Sequence, residues 1–320
     1  MNISSQGTHG SHRGTRSLSQ DTASVARFID ARLATSSRDA YQRDVDQFVE
    51  WGGHLPSTAS EVARYIAELS ERCATATIKR RLSAIQNAHE ALNVRSPTSE
   101  PLVRHAMSGI SRTLGTSQRQ AEPVTRKLLA KLMRSIPSQS AGDVRDRALL
   151  LLGFSGAFRR AELTALDVDD FAFSARGVVV TVRKSKTDQA GQGRKVAIPR
   201  SKGPLCAVTA MLKLLRLIGR DDEFDAVFRR THRSGSFLKQ RLSSAYVSTV
   251  IKQRLTAIGI DATDYSAHSL RAGLVTEAAR AGVPSWKIRQ QTGHKSDAML
   301  GRYIRDVEIW SNNAAGKVLR

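Results

Sequence analysis

One run constrains this 320-residue chain more than any other. From Ala148 to Phe158 it is apolar, interrupted only by small residues, with Arg147 before it and Arg159 after it. Its eleven residues are too few to cross a bilayer as a helix. The run therefore belongs inside a protein core, as the buried part of a helix expected over residues 143–158. Arg159 stands where that helix delivers a guanidinium to a surface, and Glu162 follows three residues on, within reach to orient it.

The patterning on either side differs. Between residues 21 and 115 apolar residues recur at three- and four-residue spacing, which predicts a bundle of five helices. Val25, Phe28, Ile29 and Leu33 mark the first. Tyr41, Val45, Phe48 and Val49 mark the second, capped by Ser36 or Ser37. Val62, Tyr65, Ile66 and Leu69 follow from about Ser60. Ile78, Leu82, Ile85 and Leu92 form a fourth stripe opening at Thr75 or Thr77, and Val103, Met107, Ile110 and Leu114 a fifth after Pro101. Residues 116–125 are polar, contain Pro123 and read as a linker.

A second domain is expected over residues 126–306. It opens on a helix with Leu128, Leu129, Leu132 and Met133 inward, followed by the apolar core helix. Residues 177–182 read as a strand that returns through residues 194–198 by a basic, glycine-containing hairpin. Helices are expected at about 204–218, 243–258 and 268–281, then a short one from Ser285 and a last one bearing Tyr303. The fold class is mainly α with a small antiparallel β-sheet in the second domain. Residues 1–20 read as a disordered arm without the apolar core of a secretory signal, and 307–320 as a docking tail.

Charge narrows the partners. The net formal charge is +21, and it is uneven: residues 1–124 hold 15 Lys/Arg against 12 Asp/Glu, residues 125–320 hold 35 against 17. Such an excess favours a polyanion, most simply nucleic acid. Cys73 and Cys206 have no metal-ligand or disulfide-framework spacing, which suits a reducing compartment. His54, His89 and His105 share no ligand spacing and read as surface or packing residues, while His232, among arginines, reads as a phosphate or solvent contact. Lys79, Arg80 and Arg81, in the first turns of a helix, could enter a major groove; Arg183 and Lys184, at the hairpin, could meet DNA as well.

The chemistry-bearing groups are spread along the second domain. His268 and Arg271, at i and i+3, share a helix face and can address one phosphate. Gly293-His294 comes 23 residues after Arg271, and Tyr303 nine residues after His294. Opening a phosphodiester without a metal needs a nucleophile, charge stabilisation on the non-bridging oxygens and an acid for the departing oxygen. No carboxylate cluster is spaced to hold Mg²⁺, and guanidinium groups can supply its electrostatic role, so no metal is expected.

The ordered set Gly156-Ala-Phe-Arg159-Arg-Ala-Glu162-Leu163, Lys186 in Ser-Lys-Thr, Ala267-His268-Ser-Leu-Arg271-Ala-Gly273, Ala281-Gly282-Val283, Thr292-Gly293-His294 and Tyr303-Ile-Arg305 resembles the tyrosine recombinase, or phage-type integrase, family, with a layout most like its Cre-like members. The resemblance covers nearly the whole chain from about residue 21. It implies a two-domain DNA clamp that cuts and rejoins strands. Tyr303 would form a 3′-phosphotyrosine and release a 5′-hydroxyl. Arg159 and Arg271 would clamp the phosphate, with Glu162 in support. His268 would handle the nucleophile's proton and His294 would donate a hydrogen bond. Lys186, favoured over Lys184 by its Ser-Lys-Thr context, would protonate the leaving oxygen. Where close relatives of Cre carry Trp, this chain has His294, a common choice in the wider family.

The same resemblance implies no metal, ATP or other cofactor. It implies double-stranded DNA with a paired inverted repeat as partner, and a homotetramer on that DNA from a free monomer or dimer. The setting expected is cytoplasmic and nucleoid-associated, of bacterial or mobile-element origin, with no membrane. The rival readings are a type IB topoisomerase-like enzyme and a non-catalytic DNA-binding protein of the same fold.

Overall fold

A computed structural model of the chain describes residues 34–117, 120–183, 193–219, 224–308 and 318–319, with the side chains of Arg302 and of residues 304–308 left aside. The arm 1–20, the first expected helix, the hairpin tip with Lys184 and Lys186, the acidic Asp221-Asp222-Glu223 and most of the tail 307–320 lie outside the described residues. The chain divides into two compact units, 1–119 and 120–320.

The described part of the first unit carries four α-helices, α1 (Thr35–Glu50), α2 (Ala59–Leu69), α3 (Thr75–Ala91) and α4 (Pro101–Leu114). A capping box opens α2, in which the Thr58 hydroxyl accepts the Glu61 N–H at 3.2 Å and the Glu61 carboxylate returns to the Thr58 N–H. Phe48, Val62, Tyr65, Ile66, Leu69, Ile78, Ile85 and Val103 form its buried core.

Three apolar residues expected inward are not: Val49 and Leu92 are each 51% exposed and Leu114 46%. Val49 is rotated about 100° around α1 from the buried Phe48. Leu92 is the cap just past the end of α3, and Leu114 is the last residue of α4. The expected Ser36 or Ser37 cap is absent as well, for α1 begins at Thr35 behind Ala34, which makes no side-chain cap. His89 is a packing residue: its Nδ1–H donates to the Ile85 carbonyl at 2.8 Å and its Nε2 accepts the Ser57 N–H at 2.9 Å.

The second unit centres on the apolar run. Helix α5 spans Arg126–Ser135, and α6 spans Ala141–Ser155 from a Ser140/Asp143 capping box. Leu149, Leu150, Leu151 and Leu152 are fully buried along α6. The helix stops three residues short of Phe158, because Gly156 caps it and Ala157 turns to φ +48°. A short helix, α7 (Arg160–Thr164), follows at once.

Three antiparallel strands come next, β1 (Phe171–Ser174), β2 (Gly177–Val182) and β3 (Arg194–Pro199), in that order across the sheet. Strand β1 had no alternating signal of its own and exists by pairing Phe171 to Val180 and Phe173 to Val178. Helix α8 (Ala207–Ile218) starts behind Cys206, whose Sγ accepts the Thr209 N–H at 3.5 Å. A two-stranded ribbon, β4 (Arg229–Thr231) and β5 (Phe237–Arg241), replaces the loop expected around His232. Its strands are basic and short, so apolar alternation could not reveal them; Arg229 is buried instead, its Nε donating to the Ala226 carbonyl at 2.8 Å.

The chain closes with α9 (Tyr246–Thr256), α10 (His268–Arg280), α11 (Ser285–Thr292) and α12 (Asp297–Glu308). Among the described residues no helix is long and apolar enough to cross a membrane.

Two glycines let α10 sit deep in this unit. A Cβ at Gly153 of α6 would fall 2.8 Å from a Leu270 methyl group, so the two helices meet where glycine is required. Residues 120–125, within the stretch read as a linker, belong to this unit: the Val124 N–H donates to the Ser269 carbonyl at 2.9 Å and Val124 is fully buried. Gly273 lies under that segment, where a Cβ would stand 2.1 Å from the Val124 carbonyl oxygen. Gly273→Ala is expected to destabilise the protein by about 1–3 kcal/mol, more than the helix propensity it gains. Urea unfolding checks this, and an unchanged or raised midpoint would show that the backbone can give way.

Candidate active site

The end of α6 builds the first wall of the site. Ala157 has a backbone conformation uncommon for a residue with a Cβ, and such outliers persist where surroundings hold them. Its carbonyl accepts Arg271 NH1 at 2.7 Å. Immediately after it, Arg159 occupies the cap of α7, and its NH1 donates to Glu162 Oε1 at 2.6 Å. The Arg159 N–H also meets Glu162 Oε2, at 3.0 Å.

Arg271 enters from the first turn of α10. It is only 1% exposed, and its NH1 also donates to the Thr292 carbonyl at 2.6 Å. NH2 of the same guanidinium is buried with no hydrogen-bond partner among the described residues. Burial, with the Arg159 charge beside it, pushes the Arg271 pKa down to about 10, so the group is still a cation at neutral pH.

Two imidazoles and the phenol complete the cluster. His268, at the start of α10, hydrogen-bonds through Nε2 to the Tyr303 hydroxyl. Tyr303 is held on α12 against Val275, Ile288 and Leu300. His294 follows the left-handed Gly293 that caps α11, and its ring lies 6.4 Å from that of Tyr303. Thr292 orients it: the hydroxyl donates to the Ile288 carbonyl at 2.7 Å and meets His294 Nδ1 at 2.7 Å, so in the neutral ring Nδ1 carries the proton.

Burial and then the guanidinium charges of Arg271 and Arg159 hold both imidazoles below the ordinary 6.5, His294 to about 3. At neutral pH His268 is thus free to accept a proton through Nε2. A cavity of about 260 Å³ bounded by Phe158, Arg159, Arg160, Ser266 and His268 opens beside it.

Five of the six expected catalytic residues, with Glu162, therefore meet in one place; Lys186 lies outside the described residues. The residues expected to touch DNA divide. Arg81 donates to the Tyr65 hydroxyl at 2.7 Å, and Arg80 pairs with the buried Asp44 at 2.9 Å, so these two bind the helical bundle together. Lys79 lies beside them on α3. Arg183 is tied to Asp167 and, at 2.9 Å, to Asp170, which makes it a support for the base of the hairpin. All of these bonds run from NH2, and the side chain remains 55% exposed.

Sequence reasoning missed Arg194, which pairs with Glu162 at 2.8 Å, and gave no role to Thr292, although that residue stands in the quoted motif. A signal for Arg194 existed: it shares the inward parity of Val196 and Ile198 on β3, where a cation needs a buried partner.

Comparisons with known proteins agree with this geometry. Residues 122–308 match the Phage integrase family and residues 15–95 match its N-terminal SAM-like domain. An integrase/recombinase xerD homolog from Selenomonas ruminantium is 33% identical over 301 residues, covering 91% of this chain and 88% of the relative. A tyrosine recombinase XerC from Roseiflexus castenholzii is 25% identical, covering 82% of this chain and 81% of the relative. Among solved structures, the Tn1549 transposon integrase in complex with circular intermediate DNA matches with a TM-score of 0.64 at 17% identity, over 92% of this chain and 98% of that one. A lambda integrase dimer bound to a core site matches with a TM-score of 0.60 at 17% identity, over 90% and 77%. At those identities the two structures speak for the fold.

The depressed His294 pKa has a measurable consequence. The unfolded ring binds its proton near pH 6.5, the folded one only near 3. Across that window the unfolded state holds more protons, so this contribution to stability is present above pH 6.5 and lost as pH falls toward 3. His294→Gln is expected to lose less stability than the parent between about pH 7 and 4, in parallel denaturant titrations. Equal losses in the two proteins would remove His294 as a source of the acid sensitivity.

Proposed function

The chain belongs to the phage integrase family of tyrosine recombinases, and we propose that Tyr303 is the nucleophile with which it opens a DNA phosphodiester. It is a site-specific recombinase, an enzyme that cuts and rejoins DNA strands; neither topoisomerase-like relaxation nor non-catalytic binding is favoured beside its recombinase relatives. The observation that carries the catalytic reading is the buried, unpartnered NH2 of Arg271, held in one cluster with a tyrosine whose hydroxyl is already bonded to a neutral imidazole. A buried donor without a partner calls for an anion.

In this reading the Tyr303 oxygen bonds to phosphorus as its proton passes to His268 Nε2. The bond from phosphorus to the 5′ oxygen breaks, leaving a 3′-phosphotyrosine and a 5′-hydroxyl. Arg159 and Arg271 take the charge that grows on the non-bridging oxygens. The guanidinium groups of Arg159, Arg194 and Arg271 against the carboxylate of Glu162 leave two net positive charges, matched to a phosphate that gains a second negative one in the transition state.

A phosphate also offsets the charges that keep His294 neutral, favouring a proton on Nε2, where it can donate. Lys186 is assigned the proton for the leaving oxygen. Ligation is the reverse, with another strand's 5′-hydroxyl attacking, and needs neither metal nor ATP.

The partner proposed is double-stranded DNA bearing a paired inverted repeat. The chain, a monomer or dimer when free, would assemble on it as a homotetramer, in a cytoplasmic, nucleoid-associated setting. Support comes from the named relatives and from the basic second unit.

A DNA site for testing can be selected from a randomised duplex pool with the Tyr303→Phe protein, which is expected to bind without forming an adduct. On a nicked suicide duplex of that site, the parent is expected to give a covalent adduct that maps to Tyr303; one at Tyr41, Tyr65, Tyr246 or Tyr265 would sink the assignment. Arg159→Ala or Arg271→Ala should slow single-turnover cleavage by roughly 10² or more. Deleting residues 309–320 should spare half-site binding and impair pairing of two sites in native gels, whereas intact pairing would reject the docking role of the tail.

A further inference from the structure

We propose that Arg194 is a positioning residue for the cleavage step, joining the carboxylate that holds Arg159 to the turn that presents His294. This rests on the reading that Tyr303 cuts DNA.

Arg194 stands at the start of β3 and reaches two elements at once. Its NH2 donates to Glu162 Oε2 at 2.8 Å, and its NH1 donates to the Gln291 carbonyl at 2.9 Å. The other oxygen of Glu162 is taken by Arg159, at 2.6 Å. Glu162 is therefore shared: one carboxylate, its side chain 2% exposed, sits between the guanidinium groups of Arg159 and Arg194.

The Gln291 carbonyl belongs to the last turn of α11, just before Gly293 and His294. Gly293 has φ +69°, and a Cβ there would lie 3.0 Å from Arg194 Nε, so the guanidinium lies directly against the turn. Phe158 flanks it, with its ring centroid 5.8 Å from the guanidinium carbon.

These contacts define the task. Arg194 spends both terminal nitrogens inside the fold, on Glu162 and on the Gln291 carbonyl, so its fork holds these two elements to each other. A planar fork can bind a carboxylate and a carbonyl on separate elements together, whereas a lysine offers one point of charge. Without it, Glu162 keeps Arg159 alone and can draw that guanidinium out of line. The turn carrying His294 loses one of its two ties to β3, keeping the Gln291 Nε2 donation to the Ala197 carbonyl at 3.3 Å and the 3.5 Å approach of Arg159 NH2 to the Gly293 carbonyl. Both consequences fall on groups that stabilise the phosphate, and neither removes a surface that binds the duplex.

The test uses the full chain and the selected duplex in two forms, one natural and one with sulfur replacing the bridging 5′ oxygen at the scissile phosphate. The thiolate leaves without protonation. Arg194→Ala is expected to slow single-turnover cleavage of the natural duplex by about tenfold to a hundredfold, with the Kd for DNA within about threefold of the parent. The defect should persist on the sulfur-containing duplex, because the loss lies at the phosphate rather than at the leaving group.

Parental cleavage by the variant, near-complete rescue by sulfur, or a loss confined to DNA binding would each overturn the proposal. If the alanine variant does not fold, Arg194→Lys is read by the same measurements, and the same loss is expected; a parental rate in Arg194→Lys would overturn the need for a fork. A parent that forms no adduct at Tyr303 refutes the functional reading, and this proposal with it. A parent that cleaves beside a variant that cleaves equally well refutes only the proposal.

Discussion

Holding a guanidinium in a protein interior requires that its charge be opposed and its five donors be matched. Arg271 meets half of that demand from within the chain. Two backbone carbonyls, from Ala157 and Thr292, take NH1, while NH2 is buried with no partner. Much of the second unit follows from keeping it there. The turn after α6 must adopt φ +48° at Ala157 to aim one carbonyl, and α10 must approach α6 closely enough for Leu270 to face Gly153. The unmatched remainder of Arg271 is a standing affinity for an anion, built before any anion arrives.

Charge around it is arranged so that this affinity is neither cancelled nor squandered. Among the described residues no carboxylate bonds Arg271 directly. Glu162, the carboxylate nearest in function, is occupied by Arg159 and Arg194. The imidazoles are kept neutral by burial and by the same cations, which leaves His268 able to take a proton from Tyr303. On the proposed reading of the site, the electrostatic stabiliser and the proton acceptor would be set by one field: the guanidinium groups that would bind the phosphate are those that hold the His268 pKa down.

The spacing of His268, Arg271, His294 and Tyr303 was legible in the sequence because each lies on or beside a helix whose periodicity is strong. Arg159 and Glu162 were legible because a charged pair directly after an apolar run is conspicuous. Long-range partnership was not. Arg194 meets Glu162 across 32 positions, and no local pattern announces that pairing. The partners of the basic residues of α3 were hidden for a related reason. Arg80 and Arg81 look like a DNA-facing cluster until Asp44, buried on another helix, is seen to take one and the Tyr65 hydroxyl the other. Strands β1, β4 and β5 escaped notice because short edge strands are specified by their neighbours rather than by their own alternation.

The same internal pairing changes what the basic excess of the second unit means. Asp143 and Asp146 are bonded to Arg254, Asp167 to Arg183 and Arg241, Asp170 to Arg183, and Glu162 to Arg159 and Arg194. Each such pair neutralises a cation, although Arg183 and Arg241 stay 55% and 39% exposed, which at first suggests that the raw charge overstates the attraction for DNA. It also removes a carboxylate, and carboxylates are the scarcer kind: residues 125–320 hold 17 of them against 35 cations. Sequestering acids inside the fold leaves the remaining surface more uniformly positive than the composition alone implies. Binding through such a surface releases counterions and weakens steeply with salt, while the buried pairs that shape the site are screened far less. Recruitment of the duplex and the chemistry performed on it are therefore carried by different sets of arginines.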